Sequence, residues 1–313
     1  MKAELCVDCP LPPDAGLFWD ERWLRSISEV MRRRHDWLVC NDDGRLIAAM
    51  PVFHYRRYGL RVVSNPPLLP YMPLWYALQP DTRETTGKRQ RLQACRAMAA
   101  LLKRRFHKVN IPLGTHILDV RGFLWEGMTA WPTYTHLIDL TKEQCTHKSK
   151  KEAIRKAKRW NPELREEKNI ALFLRLHRLM YERQNIAQHV PDNVLQALLE
   201  RLFDSGLLRQ HTAYAGDEPV STHAWLYDSQ RQYAFAWLGA NDPAWLTEGI
   251  ATWTFAALFS QLRGEGYETL DLCGANMPHL NNYYATFGGE LAINFRIGKP
   301  LPGLLRCLPG GSL

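Results

Sequence analysis

Residues 268–291 read ETLDLCGANMPHLNNYYATFGGEL. A strand-like run, Thr269 to Leu272, ends in Cys273-Gly274-Ala275. A loop with Pro278 follows, then a short helical stretch carrying Tyr283 and Tyr284, stopped by Gly288-Gly289. The segment just upstream, YAFAWLGANDPAWLTEGIAT (233–252), predicts a strand to Gly239, an Asn-Asp-Pro turn and a helix opening over Thr247, Glu248, Gly249, Ile250, Ala251 and Thr252. The free N–H groups and dipole at such a helix start favour an anion such as pyrophosphate. The same letters also describe an ordinary helix start, with Thr247 as its cap.

Outward from this core, the second half of the chain predicts helices over 143–160, 168–189 and 192–205, then three antiparallel strands between Leu208 and Asn241, a helix over 247–263 and the strand 269–272. The first half runs similarly. A helix over 16–34 puts Trp19, Trp23, Leu24 and Ile27 on one face. WLVCND-DG-RLIAAMPVF reads as a hairpin. LRVVSNPPLLPYMPLWY reads as a proline-broken loop whose residues 65–73 line an acceptor groove. A basic helix over 88–107 and the strands KVNIPLG and YTHLIDL follow. The shared order of elements predicts a tandem duplication: an N-terminal repeat at 1–140, a C-terminal repeat with the active site at 141–300, and a tail at 301–313.

With 313 residues, 46% apolar, the chain is large enough for two ordinary cores. A net charge of +8 favours an anionic partner: nucleotide, CoA, tRNA or a membrane surface. Seven scattered cysteines do not make a disulfide framework. Cys6 and Cys9 are the only close pair, and no metal is expected. The N-terminal MKAELCVDCPLPPD has acids and prolines where a secretory signal needs an apolar stretch, so a cytoplasmic location is expected.

The 233–252 segment resembles the GNAT superfamily of N-acyltransferases. Their acyl-CoA loop, Arg/Gln-x-x-Gly-x-Gly/Ala, falls here on Leu246 to Ala251, with Leu246 replacing the leading polar residue. Asn282 to Gly289 resembles the helix that follows in that superfamily, with Tyr284 in the place of its tyrosine. A broader resemblance is to the Fem-type proteins and to the acetyltransferase group named from a biotin-cluster or cellulose-synthesis context. Lys151 to Lys158 resembles their Arg-x-x-Ile-Arg-Lys-Ala stretch. Asp271 to Gly274 matches Asp-x-x-Gly, and Tyr283 to Gly289 matches Phe-Lys-x-x-Phe-Gly-Gly with Tyr284 in place of the lysine.

The resemblance implies an α/β fold of two tandem GNAT-like mixed, mainly antiparallel sheets flanked by helices. It implies acyl transfer to an amine on a cell-envelope or polysaccharide precursor. Acyl-CoA would be co-substrate, its phosphate held by Thr247 to Thr252, and Tyr284 would protonate the leaving thiolate. Tyr284 brings no cation, which moves weight from an aminoacyl-tRNA donor toward a thioester; Leu246 pulls the other way. A degenerate pair that binds without chemistry is the third reading. His223 reads as a base for the amine or as a packed strand residue. Asp271 reads as a proton acceptor or as a loop cap. Tyr181, Gln184, Trp237 and Asn276 are expected at the substrate. The basic run 148–159 reads equally as a surface for tRNA, CoA or anionic lipid and as a solvated helix face.

Overall fold

The computed structural model describes residues 1–9, 15–77, 84–142 and 147–301. It divides into two compact units, residues 1–133 with 293–313 and residues 134–292. Residues 143–146 of the expected basic helix and all but the first residue of the expected tail lie outside the described residues.

The first unit contains β1 (Lys2–Cys6), α1 (Glu21–Val30), β2 (Arg34–Asp42), β3 (Arg45–Arg57), β4 (Leu60–Ser64), β5 (Trp75–Tyr76), α2 (Glu84–Arg105), β6 (Lys108–Pro112) and α3 (Arg121–Trp125). The chain then enters β7 (Thr129–Asp139), which crosses the division between the units. Strands β1 to β4 form an antiparallel meander, with β5 on β3, and β6 then joins β4 in parallel. The expected first helix is shorter than its periodicity, because a 3-10 turn at Leu17–Trp19 precedes the Asp20 N-cap. Trp19, Trp23, Leu24 and Ile27 are buried as the pattern requires.

One stretch differs from expectation. Leu60 to Ser64 is a strand, not part of a loop: Val62 and Val63 are buried β-branched residues that pair with β3 and β6. The proline-rich loop after it packs into its own unit. Met72 and Leu74 are wholly buried, and the Trp19 indole N–H donates to the Pro73 carbonyl.

The second unit contains α4 (Lys148–Ala157), β8 (Glu163–Glu166), α5 (Ile170–Gln184), α6 (Asp192–Asp204), β9 (Leu208–Ala215), β10 (Glu218–Asp228), β11 (Tyr233–Asn241), α7 (Ile250–Gly264), β12 (Thr269–Asp271) and α8 (Pro278–Ala285). β13 (Glu290–Lys299) begins there and ends in the first unit, paired with β6. β8 to β11 are antiparallel, and α7 carries the chain over to β12, parallel to β11. The sequence of antiparallel hairpin, helix and parallel strand repeats β3-β4-α2-β6 of the first unit.

The sheet of the second unit is covered on both faces. Trp225, Tyr227, Ala234 and Ala236 face Phe255, Leu258 and Phe259 of α7 and Phe287 beyond α8. Ala240 faces Leu172 and Leu176 of α5. Both faces being covered explains why β10 is buried without a break from Val220 to Asp228, its polar Ser221, Thr222 and His223 included.

Candidate active site

β11 and β12 pair over only three residues, Tyr233 to Phe235 against Thr269 to Asp271. β12 then stops, while β11 continues to Asn241. A bulge sits where they part. Ala236 and Trp237 of β11 both fall opposite the single Trp225 of β10, between the pairs Ala224–Leu238 and Leu226–Phe235. Such an extra residue bends a strand and sharpens its twist. Past Phe235, β11 therefore has a strand partner on one side only among the described residues. Its other edge is a row of backbone groups fit to hold a substrate carbonyl.

The end of β12 is locked beside this opening. Cys273 has φ +56°, a left-handed conformation that costs a residue with a side chain about 1–2 kcal/mol. It is held there by Asp271, which is wholly buried. One carboxylate oxygen accepts from the Cys273 N–H at 2.7 Å and from the Thr135 hydroxyl at 2.5 Å. Asp271 is thus engaged in shaping the turn. Burial and the nearby Asp271 push the Cys273 thiol well above its ordinary range.

Tyr284 lies next to Cys273. Burial first, then the cysteine's charge, raises the phenol to about 12, so it stays protonated at neutral pH. Its ring centroid is 6.1 Å from Phe255 and 5.8 Å from Tyr283, and its hydroxyl has no hydrogen-bond partner among the described residues. The Tyr283 hydroxyl is fully enclosed and, among the described residues, makes no well-formed hydrogen bond. His223 reaches the same cluster through Phe255, 5.0 Å between centroids.

His223 itself is tightly enclosed. The Ser221 hydroxyl donates to Asn241 at 2.6 Å, which leaves His223 Nε2 to donate to the Ser221 oxygen at 3.2 Å. Its Nδ1 abuts Gly239, where a Cβ would come within 2.5 Å; only glycine fits there. Burial depresses His223 to about 3, and His211, also depressed chiefly by burial, lies near 4. Both are neutral when folded. The unfolded chain takes up their protons below about pH 6.5, so fold stability falls as pH drops from there toward 4. Replacing His223 by glutamine should flatten this acid limb in denaturant titrations; an unchanged slope would show that His223 titrates normally.

The predicted phosphate loop has a neighbour the sequence did not reveal. Gly249 has φ +80° and precedes an α7 with no side-chain cap. A Cβ on it would lie 2.2 Å from the Ala153 carbonyl oxygen of α4. Lys156 donates to the Thr247 carbonyl and, at 3.0 Å, to Glu248; the Trp160 indole N–H donates to the other Glu248 oxygen at 3.1 Å. At its other end α4 is tied to α8 by the His147 N–H and the Thr286 carbonyl. Helix α4 therefore spans from the start of α7 to the end of α8. Gly249, Ile250 and Thr252 are buried, Ala251 is half-buried, and Thr247 is exposed. The start of α7 is thus packed against the α4 backbone, with the Glu248 carboxylate beside it held by Lys156 and Trp160.

The remaining expected residues disperse. Tyr181 lines a cleft of about 430 Å³ at the end of α5, with Arg178, Glu182, Asn185, Ile186 and Gln188. Gln184 is exposed and does not line it. Asn276 clamps Tyr134, accepting from its N–H at 2.8 Å and donating to its carbonyl at 3.2 Å. Trp237 sits on the bulge, buried. One residue escaped the sequence reading. Lys150 is buried, and its ammonium sits 3.3 Å from the Tyr283 ring centroid. The signal was its spacing, since Lys150 heads the stripe of Ala153, Ile154 and Ala157.

Residues 147–281 match the family model described as Acetyltransferase (GNAT) domain. This segment is similar to GNAT domains. The fold of the chain agrees. It is similar to the crystal structure of FemX over 91% of this chain and 92% of that one, at 9% identity and a TM-score of 0.64. It is also similar to the structure of L-PGS from Bacillus licheniformis, over 93% of this chain and 90% of that one, at 11% identity and a TM-score of 0.56. The C-terminal domain of a putative lysylphosphatidylglycerol synthetase from Agrobacterium fabrum aligns over 87% and 86%, at 10% identity and 0.55. No curated protein sequence matches the chain. The chain thus combines a segment similar to an acetyltransferase domain with a Fem-like fold. Among the described residues no helix is long and apolar enough to cross a membrane, and no group of three or more His, Cys, Asp or Glu side chains is placed to hold a metal.

Proposed function

We propose that the chain transfers an aminoacyl group from an ester donor, aminoacyl-tRNA, to an amine on a cell-envelope or polysaccharide precursor. The observation that carries the choice of donor is α4 over the start of α7. Ala153 against Gly249, and the Lys156–Glu248–Trp160 contacts, put an anionic side chain beside the loop that resembles a CoA pyrophosphate site. An ester donor needs no such anchor. Lys148, Lys151 and Arg155 of the same helix, with Lys158 and Arg159 in the turn that follows it, are all exposed, a basic strip suited to a nucleic-acid backbone.

The chemistry needs a polarised carbonyl, a proton acceptor for the amine and a proton donor for the leaving oxygen. The backbone of β11 beyond the last β12 pair, at Phe235, supplies donors. Tyr284, neutral and without a hydrogen-bond partner among the described residues, supplies the proton.

A thioester donor is the second reading, favoured by Tyr284, whose phenol suits a leaving thiolate and adds no cation. Isothermal titration with acetyl-CoA, beside tRNA binding across a salt series, separates the two. Binding of tRNA with a steep salt slope and no acetyl-CoA heat supports the ester. Micromolar acetyl-CoA binding supports the thioester.

A further inference from the structure

Lys150 is 7% exposed, with its Nζ 3.3 Å from the centroid of Tyr283 and 4.5 Å from that of Phe287. Among the described residues no carboxylate and no hydrogen-bond acceptor reaches it. Ring faces compensate an ammonium by about 0.5–2 kcal/mol, while withdrawing an ion from water costs several. Burial alone therefore draws Lys150 down to about 8.

The titratable groups of α4, α8 and the start of α7 are accounted for. Tyr283 and Tyr284 on α8 stay protonated at neutral pH. Glu248, before α7, is engaged by Lys156 and Trp160. His147, at the start of α4, is bonded to Ser149. Of the two bases read from sequence, His223 is enclosed against Gly239 and Asp271 holds the Cys273 turn. An attacking amine still has to lose a proton.

On the acyl-transfer reading above, we propose that Lys150, held on the face of Tyr283, is the proton acceptor for the attacking amine. The amine nitrogen bonds to the ester carbonyl carbon, and one of its protons passes to the neutral Lys150 Nζ. The carbonyl-carbon to oxygen bond of the ester breaks, and the leaving oxygen takes the Tyr284 proton. The Lys150 ammonium then returns its proton, through solvent, to the Tyr284 phenolate. Ester and amine become alcohol and amide, with both side chains restored.

Two measurements on the intact protein test this. Trace labelling with acetic anhydride between about pH 6 and 11, read by peptide mass spectrometry, should show Lys150 half-reactive near pH 8, against about 10.4 for ordinary lysines. A Lys150 that titrates with the surface lysines, or reacts at no pH, overturns the proposal.

The second compares aminoacyl transfer to ethanolamine and to methoxyamine, a far weaker base that needs little help losing its proton. Lys150→Met should slow the ethanolamine reaction about 10²-fold or more, slow methoxyamine far less, and leave the melting temperature unreduced. Lys150→Arg should not restore the rate. Equal losses with both amines, or rescue by arginine, would show a structural or purely electrostatic role and sink it. If the wild-type protein transfers to neither amine, acyl transfer itself fails and this role falls with it. The labelling midpoint then tells that failure from a wrongly assigned lysine.

Discussion

Replacing Tyr284 with phenylalanine should lower acyl transfer about 10²- to 10⁴-fold, the usual range for a positioned acid or base, while the protein melts at its wild-type temperature. The ring contacts with Phe255 and Tyr283 survive the change. The hydroxyl has no partner among the described residues, so its removal leaves no buried group unpaired. With the phenol raised to about 12, it is a donor and not a base across the neutral range. Activity should therefore show no basic limb from this residue below that pH. The matched control is Tyr283→Phe, which removes an enclosed hydroxyl and should cost no stability. A Tyr284→Phe variant at wild-type rate would take the residue out of the chemistry and favour a pair that binds without reacting.

The largest expected effect on folding is at Gly249. Alanine there must hold φ +80°, a cost of about 1–2 kcal/mol. Its Cβ must also displace the Ala153 carbonyl from 2.2 Å, overpacking worth about 1–3 kcal/mol. Backbone cannot yield as a side-chain tip can, so α4 has to lift from α7. Gly249→Ala should lose about 2–5 kcal/mol in denaturant unfolding and free the Lys156–Glu248 and Trp160–Glu248 contacts together. A loss under about 0.5 kcal/mol, the scale of surface substitutions, would mean that α4 is not seated on Gly249.

Much of the fold was written in local pattern. The hairpins, α2, α5, α6 and the meander of β9 to β11 follow from apolar periodicity and turn residues. The strands that were missed are short or lie beside prolines: β8 has four residues, and β4 runs into Asn65-Pro66. Their pairing is set by partners distant in sequence, which no local period reports.

The site was legible in a different measure. The tyrosine pair and the turn after β12 came from motif order. The sequence left Gly249 open between a ligand approach and an ordinary helix start; the structure instead presses it against Ala153, nearly a hundred residues earlier. Lys150 was hidden among the basic residues of 148–159, because charge composition does not say which lysine of a helix turns inward. Its place on the Ala153–Ala157 stripe does.

The most direct measurement is product formation from two donors side by side. Purified protein would be given a mixed pool of radiolabelled aminoacyl-tRNA, or radiolabelled acetyl-CoA, with ethanolamine as acceptor, and amide would be counted over time. An α4-covered loop with Tyr284 at the β11–β12 opening predicts amide from aminoacyl-tRNA, little from acetyl-CoA, and loss of the product in Tyr284→Phe. Amide formed from acetyl-CoA alone would contradict it, because CoA would then have to enter beneath α4.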